Sequence, residues 1–281
     1  MKIRAFAKIN LTLDVVGVRG NMHEIDSVMT SVSVFDELTV TARADKQIVV
    51  TGTPDIPVEK NTAYRIAEKI VKQFGTNGVD VCITKGVPQG AGMGGSSVDA
   101  AAVAYAMAQI YGIELTALQS VCTSVGSDVW YVLNGGFGRV GGIGDALQKV
   151  PAQQTLYFVV TTFRESCSSM EVYGWFDELN RTLPPSTQAV VDCLVDGRAD
   201  VCDNCSNALQ AAVEVHTDYA TNYLAACQKL GVRTVMTGSG SAYYVVFVDP
   251  TVADKCCADL QKCGFDSFVC HSVPCGVVEI W

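Results

Sequence analysis

The stretch VPQGAGMGGSSVDAAAVA, residues 87–104, concentrates glycine and serine in one short segment and then becomes rich in alanine. Glycine loses more conformational freedom on folding than any other residue, so a cluster of glycines needs a structural reason. The alanine-rich part predicts a helix over residues 98–111. A glycine loop before a helix can turn main-chain N–H groups toward an anion, because the first N–H groups of a helix lack internal partners. A glycine-rich helix start capped by serines explains the segment equally well.

Two common nucleotide-binding patterns fit this segment poorly. A Walker loop needs a lysine directly before the serine, and none precedes Ser96 or Ser97. The pattern GxGxxG is present at residues 90–95, but residues 85–89 separate it from the preceding strand, and Glu114 precedes a helix instead of ending a strand. The remaining hypothesis is a phosphate loop of another design, in which both serine hydroxyls bind phosphate oxygens or approach Mg²⁺.

The composition is ordinary for a globular enzyme, and it limits the classes of partner that the protein can bind. The 281 residues are enough for about two domains. The formal charge of −9 argues against a broad nucleic-acid surface, and the 20 lysines and arginines carry more weight where they adjoin the glycine segment. No run is long and apolar enough for a membrane helix, and residues 1–13 lack a signal-peptide core. We therefore expect a cytoplasmic protein that binds small molecules, with neither nucleic acid nor membrane as partner.

The twelve cysteines are scattered along the chain without a secretory signal. This usage predicts reduced thiols that pack as small hydrophobic groups. The single CxxC, Cys202–Cys205, has no second pair at matching spacing, so we expect no protein-built metal cluster.

Apolar periodicity predicts an α/β (α+β) fold, in which strands and helices alternate in both halves. Predicted strands cover residues 3–16, 31–41, 79–84 and 155–163, with a strand pair within 233–249. Predicted helices cover residues 62–74, 98–111, 116–124, 207–215 and 219–230, and Asn61 caps the first of them. The alternation of strands and helices restarts near Pro151. This predicts a domain of residues 1–151 and a second domain of residues 152–281.

Three further blocks extend the pattern around the glycine segment: AKINLTLDVVGVRGNMHEIDSVMTSVSVFDEL (7–38), SVGSDVWYVLNGG (124–136) and MTGSGSAYYVVF (236–247). Their order and spacing resemble the GHMP kinases over nearly the whole chain. The first block is typical of one family among them, the 4-diphosphocytidyl-2-C-methyl-D-erythritol kinases. The resemblance implies a ribosomal-S5-like amino-terminal domain, a ferredoxin-like carboxy-terminal domain and an active site between them. It also implies ATP- and Mg²⁺-dependent phosphorylation of the 2-hydroxyl of a CDP-linked methylerythritol, in non-mevalonate isoprenoid synthesis.

The resemblance assigns roles residue by residue. Asp128 matches the catalytic aspartate that accepts the hydroxyl proton, and Lys8 matches the catalytic lysine that offsets charge on the phosphoryl group. The implied ATP-binding residues are Pro88, Gln89, Gly90, Ala91, Gly92, Met93, Gly94, Gly95, Ser96, Ser97, Val98 and Asn61. His23 matches the histidine that reads the cytosine edge, and Asn10 shares a strand face with Lys8, from which it could bind the sugar alcohol. The candidate substrate-binding residues are Asn10, Met22, His23, Tyr173 and Thr237.

The sequence departs from the family pattern at three places. Met22 stands where a tyrosine usually stacks on cytosine, so Tyr173 is a candidate for a second stacking platform. Trp130 replaces a proline, and the serine pair lies one position closer to the amino terminus. These departures leave two alternatives open: a GHMP kinase for another small alcohol, and a non-catalytic nucleotide-binding relative. The presence of both Lys8 and Asp128 disfavours the second. A monomer and a homodimer fit the sequence equally well.

Overall fold

The structure is a computed structural model and describes residues 1–179 and 184–280. Its strands are β1 (Lys2–Asn10), β2 (Thr12–Arg19), β3 (Met22–Ala42), β4 (Val49–Thr51), β5 (Val79–Thr84), β6 (Gly138–Gly142), β7 (Ala146–Lys149), β8 (Tyr157–Thr161), β9 (Ser206–Asn207), β10 (Val235–Met236), β11 (Tyr243–Phe247), β12 (Ser267–Val273) and β13 (Val277–Ile280). Its helices are α1 (Thr62–Phe74), α2 (Gly95–Tyr111), α3 (Gln119–Val125), α4 (Val129–Asn134), α5 (Ser169–Leu179), α6 (Thr187–Asp196), α7 (Val201–Asn204), α8 (Gln210–His216), α9 (Thr221–Leu230) and α10 (Pro250–Lys262). The mixture of strands and helices in both halves confirms the α/β prediction.

The long strand β3 organises the sheet, because it pairs antiparallel with β1, β2, β5, β6 and β12. Strand β12 also pairs with β8, and β8 pairs with β11, so paired strands continue from the amino-terminal half into the carboxy-terminal half. Strand β13 returns to pair with the other edge of β1, where Lys2 lies opposite Ile280. Strand β1 therefore lies between two neighbours. The boundary between residues 151 and 152 stays a prediction.

Eleven of the 17 residues of helix α2 are buried, and the helix contacts β1, β3, α1 and α4. The alanines at positions 100–102, 104 and 106 have no exposed surface. Alanine is the best helix former and adds little bulk, so the helix packs closely against the sheet. The helix begins at Gly95, ahead of the predicted start at Val98. Its first turn therefore directly continues the glycine segment.

Local signals located α1 and β5 correctly. Helix α1 begins after Asn61, whose side chain accepts hydrogen bonds from the N–H groups of Ala63 and Tyr64. It ends at Gly75, which takes a left-handed conformation with a φ of 69°. Strand β5 has the predicted bounds. Both elements depend on residues near them in the chain.

The cysteines are all free, and seven of the twelve are buried. Burial raises the pKa of both Cys122 and Cys205 to about 12. A thiol with so high a pKa is a poor nucleophile at neutral pH. The buried cysteines therefore pack as small hydrophobic groups.

Candidate active site

The glycine segment forms a loop in which glycines alternate with buried residues. Gly90, Gly92 and Gly94 have φ angles of 67°, 71° and 80°, in the left-handed region that favours glycine. Between them, Ala91 and Met93 are buried in the core at 4% and 0% exposure. The two apolar side chains anchor the loop, and the three glycines turn its backbone.

A second glycine loop, residues 236–242, lies directly against the first. The N–H groups of Ser241 and Ala242 donate to the carbonyl oxygens of Gly90 and Ala91, each at 3.3 Å. The amide nitrogen of Asn207 donates to the Met236 and Gly238 carbonyl oxygens, both at 2.7 Å. Asn207 therefore holds this loop in place, although no motif in the sequence marks it.

The start of α2 is open toward the site. Gly94 is its N-cap residue, and no side chain caps the first turn. The hydroxyl oxygen of Ser97 lies 3.6 Å from the position that a Cβ at Gly126 would take, so the segment leading to Asp128 adjoins this helix start. Free N–H groups and the positive end of the helix dipole favour an anion here.

Lys8 and Asp128, which are far apart in the chain, meet beside the glycine loop. The Lys8 ammonium nitrogen lies 3.4 Å from an Asp128 carboxylate oxygen, and the two side chains are 4% and 24% exposed. The main-chain N–H of Lys8 donates to the Met93 carbonyl at 3.0 Å, which fixes β1 to the loop. A buried ammonium requires such a partner. The more exposed carboxylate remains open to an incoming group.

Asn10 and Thr237 lie behind this ion pair. The Asn10 side-chain oxygen accepts from Lys8 at 2.5 Å, as expected for side chains two residues apart on one face of a strand. Thr237 is completely buried, and its hydroxyl accepts from the Asn10 main-chain N–H at 3.2 Å and donates to Gly92 at 3.5 Å. Thr237 therefore connects β1 to both glycine loops.

His23 and Tyr173 form a stack between the β2–β3 hairpin and α5. Their ring centroids are 4.6 Å apart with an interplanar angle of 21°, and His23 Nε2 lies 2.8 Å from an Asp177 carboxylate oxygen. Met22, in the same hairpin, is 52% exposed. Burial raises the pKa of Tyr173, and the negative charge of the Asp128 carboxylate adds to this rise.

Asn61 serves as a helix cap next to the glycine loop. Its side-chain nitrogen donates to the Thr53 hydroxyl at 2.9 Å, while its oxygen caps α1. The neighbouring Thr62 hydroxyl donates to the Ser96 carbonyl at 2.5 Å, so the starts of α1 and α2 adjoin. A contact between Asn61 and adenine stays a prediction.

A buried cluster of charges holds the beginning of the glycine segment. The Lys85 ammonium donates to carboxylates of Asp36 and Asp99, and it also lies 3.3 Å from the Gly95 carbonyl oxygen. Asp36 further accepts from the N–H groups of Gly86 and Val87 at 2.7 and 2.9 Å. Only the presence of a lysine beside the glycines hinted at this cluster in the sequence.

The cluster predicts a specific dependence of stability on pH. Desolvation, opposed by Lys85, raises the pKa of Asp99 from 3.8 to about 7. The folded protein therefore holds a proton that the unfolded chain releases, and its free energy of unfolding falls as pH rises from about 4 to about 7. Asp99→Asn should remove this contribution, of the order of 2 to 4 kcal/mol, and flatten the curve.

Chemical denaturation at several pH values checks this expectation. Asp259→Asn is the matched control, because the Asp259 carboxyl lies at the surface with its pKa lowered by a hydrogen bond from Lys262. Equal slopes for the wild type and Asp99→Asn would contradict the assignment.

Comparisons with known proteins show the family to which the chain belongs. The family model "GHMP kinases N terminal domain" matches residues 61–138. A 4-diphosphocytidyl-2-C-methyl-D-erythritol kinase of Caldicellulosiruptor saccharolyticus is 31% identical over 258 residues, which are 89% of each chain. One of Symbiobacterium thermophilum is 32% identical over 97% of this chain and 100% of its own. The chain belongs to this family of GHMP kinases.

Solved structures show the same fold as this GHMP kinase. A 4-(cytidine 5'-diphospho)-2C-methyl-D-erythritol kinase superimposes with a TM-score of 0.77 at 24% identity, covering 97% of this chain and 100% of the other. A homoserine kinase from Cytophaga hutchinsonii superimposes with a TM-score of 0.77 at 18% identity, covering 100% and 97%. The two-domain GHMP fold therefore accommodates the whole chain.

The part of the chain that the structure describes lacks two other features. It contains no helix with both the length and the apolar character needed to cross a bilayer. It contains no group of three or more His, Cys, Asp or Glu side chains arranged to hold a metal ion.

Proposed function

We propose that this enzyme transfers the γ-phosphoryl group of ATP to the 2-hydroxyl of 4-diphosphocytidyl-2-C-methyl-D-erythritol, as part of isoprenoid precursor synthesis. One observation carries the proposal: the Lys8–Asp128 pair, with a separation of 3.4 Å, adjoins a glycine loop and an uncapped helix start. The relatives named above are kinases of this substrate, and their sequences align with almost the whole length of this chain. The chemistry of the site and the relatives thus point to one reaction.

The triphosphate would lie against the loop from Pro88 to Val98. Main-chain N–H groups at the start of α2 would bind its oxygens, and Lys8 would add positive charge beside Gly94. Within residues 1–179 and 184–280, the hydroxyls of Ser96 and Ser97 have no hydrogen-bond partner, so they are available as oxygen ligands. Mg²⁺ is bound through few protein oxygens together with phosphates, and these hydroxyls fit that requirement. When bound, Mg²⁺ neutralises charge on the phosphates.

Asp128 would act as the base. As the acceptor oxygen bonds to the γ-phosphorus, the bond from that phosphorus to the ADP oxygen breaks, and the hydroxyl proton passes to the carboxylate. Lys8 would hold the carboxylate in place through the 3.4 Å contact and stabilise negative charge on the transferred group. Positioning and electrostatics of this kind supply most of the catalysis in phosphoryl transfer.

The acceptor would bind on the opposite side of the ion pair. We propose that Asn10 acts on the acceptor through Lys8, because its side chain is only 1% exposed and is hydrogen-bonded to Lys8 and Ser27. We propose that His23 reads the cytosine edge, with Tyr173 and Met22 supplying the stacking surface. The 4.6 Å separation of the His23 and Tyr173 rings leaves no room for a base between them, so the base would pack against the outside of this stack. Thr237 is left without a substrate contact because it is completely buried.

A coupled ADP-release assay over a panel of alcohols tests the function. We expect turnover with 4-diphosphocytidyl-2-C-methyl-D-erythritol at a kcat/KM at least about 10²-fold above that for homoserine or mevalonate. Thermal protection by the CDP-linked substrate should accompany it, because a ligand that binds only the folded state stabilises that state. Preferred turnover of another alcohol would move the assignment to a different GHMP kinase. ATP binding without any turnover would indicate a non-catalytic relative.

A further inference from the structure

A chain of buried polar groups extends from the Lys8 ammonium into the sheet. Lys8 donates to the Asn10 side-chain oxygen at 2.5 Å, and the Asn10 side-chain nitrogen donates to the Ser27 hydroxyl at 2.9 Å. The Ser27 hydroxyl in turn donates to the main-chain carbonyl of Thr12. Ser27 and Thr12 have no exposed surface, and Asn10 is 1% exposed. Because water does not reach these groups, each depends on its protein neighbours for hydrogen bonds.

The direction of every bond in this chain follows from its last member. A main-chain carbonyl can only accept, so the single Ser27 proton is committed to Thr12. The Ser27 oxygen must therefore accept from Asn10, and only the amide nitrogen of Asn10 can donate. The Asn10 oxygen is consequently turned toward Lys8. With the amide reversed, its NH₂ group would face the ammonium in a buried position.

Thr12, at the end of this series of hydrogen bonds, is itself fixed by neighbouring elements. The Thr12 hydroxyl accepts from the Val28 main-chain N–H at 2.8 Å and lies 2.8 Å from the Thr187 hydroxyl at the start of α6. Thr187 also donates to Asp14 at 2.8 Å. Strands β2 and β3 and helix α6 thus fix the carbonyl that sets the direction of the hydrogen bonds.

We propose that Ser27 is a positioning residue of the phosphoryl-transfer reaction: it fixes the Asn10 amide and thereby holds the Lys8 ammonium against Asp128. Ser27 touches neither nucleotide nor acceptor and acts through Asn10. The inference rests on the proposed roles of Lys8 and Asp128. The rate of a reaction depends steeply on the orientation of the catalytic groups. Removal of a hydroxyl that fixes the Asn10 amide should therefore lower kcat.

Ser27→Ala tests the inference through kcat and KM. Without the hydroxyl, the buried Asn10 nitrogen loses its acceptor, so the amide is no longer held at one angle and Lys8 loses a fixed hydrogen-bond partner. We expect kcat to fall about tenfold, while KM for ATP and for the acceptor changes by less than about twofold. Ser27→Thr keeps the hydroxyl on a residue suited to strands, and it should restore kcat to within about twofold of the wild type.

Ser267→Ala is the matched control for a purely structural loss. Ser267 is 4% exposed and shares a 2.7 Å hydrogen bond with the Thr161 hydroxyl, also within the sheet but outside the site. We expect it to lower the melting temperature about as much as Ser27→Ala does and to leave kcat unchanged. Equal kcat losses in the two alanine variants would overturn the inference. So would a wild-type kcat in Ser27→Ala, or a Ser27→Thr variant as slow as Ser27→Ala.

The failure of this inference is distinguishable from failure of the proposed function. If the wild type prefers another alcohol, the proposed substrate is wrong, and the Ser27 comparison is made with the preferred alcohol. If the wild type is active and Ser27→Ala matches it, the substrate assignment stands and the positioning role is rejected.

Discussion

Asp128→Asn is expected to lower kcat by about 10²- to 10⁴-fold, the range that a positioned base contributes. The amide has almost the shape of the carboxylate, but it cannot take up the proton of the acceptor hydroxyl. Because Asp128 is the charge partner of the buried Lys8 ammonium, we expect the substitution to lower the melting temperature as well, with the fold still intact at the assay temperature. The measurement is steady-state ADP release with saturating ATP and CDP-linked acceptor.

Asp259→Asn provides the matched control for this substitution. Asp259 also forms a lysine–aspartate pair, with Lys262 at 2.9 Å, but the pair lies on α10 away from the glycine loops. Loss of that pair should leave kcat within about twofold of the wild type. A near-normal kcat in Asp128→Asn would remove the carboxylate from the role of base.

Gly92→Ala should lower kcat/KM for ATP by about 10²-fold. A Cβ at this position would lie 2.1 Å from the main-chain oxygen of Thr237, so one of the two glycine loops must move. The φ of 71° adds the strain of a left-handed alanine, about 1 to 2 kcal/mol. Displacement of the loop moves the N–H groups that would bind the triphosphate. Steady-state kinetics at varied ATP concentration, with melting curves beside them, measure both effects.

Gly112→Ala separates conformational strain from displacement of the loop. Gly112 follows α2 with a φ of 66°, and a Cβ there meets no atom within 4 Å. The variant should have the same φ strain and a lower melting temperature, yet keep the wild-type kcat/KM for ATP. Unchanged ATP kinetics in Gly92→Ala would show that the loop does not set the nucleotide site.

Helices and strands that depend on local signals have the bounds that the sequence predicts. The Asn61 cap, the Gly75 stop and the alternation of residues 79–84 all act through near neighbours in the chain, and α1 and β5 have their predicted bounds. Helix α2 begins at Gly95, and the predicted start at Val98 is too late, because glycine and serine have low helix propensity. Packing of the buried residues that follow, from Ser97 to Ala104, compensates for that propensity.

Helix α5 shows why other elements were missed. Its sequence SMEVYGWFDEL combines aromatic residues, a valine and Gly174, none of which favours a helix by itself. Its aromatic rings pack on neighbouring elements instead: Tyr173 stacks on His23, and Trp175 stacks on His216 with centroids 5.1 Å apart. Tertiary packing of this kind is invisible in a single sequence.

The candidate site was predicted only in part for the same reason. The resemblance to the GHMP kinases paired Lys8 with Asp128, and the structure places them 3.4 Å apart. Nothing in the local sequence marks Asn207 or Ser27, whose partners are brought together by the fold. Hydrogen bonds between distant strands leave no periodic trace in the amino-acid order.

The return of β13 to the edge of β1 has a consequence for biosynthesis. The strand that carries Lys8 leaves the ribosome well before the segment that covers its outer edge, Val277–Ile280, is synthesised. Throughout most of translation, the nascent chain therefore exposes an unpaired row of N–H and C=O groups to other polypeptides. Chaperones that shield such edges, or slow release from the ribosome, would bear directly on the yield of active enzyme.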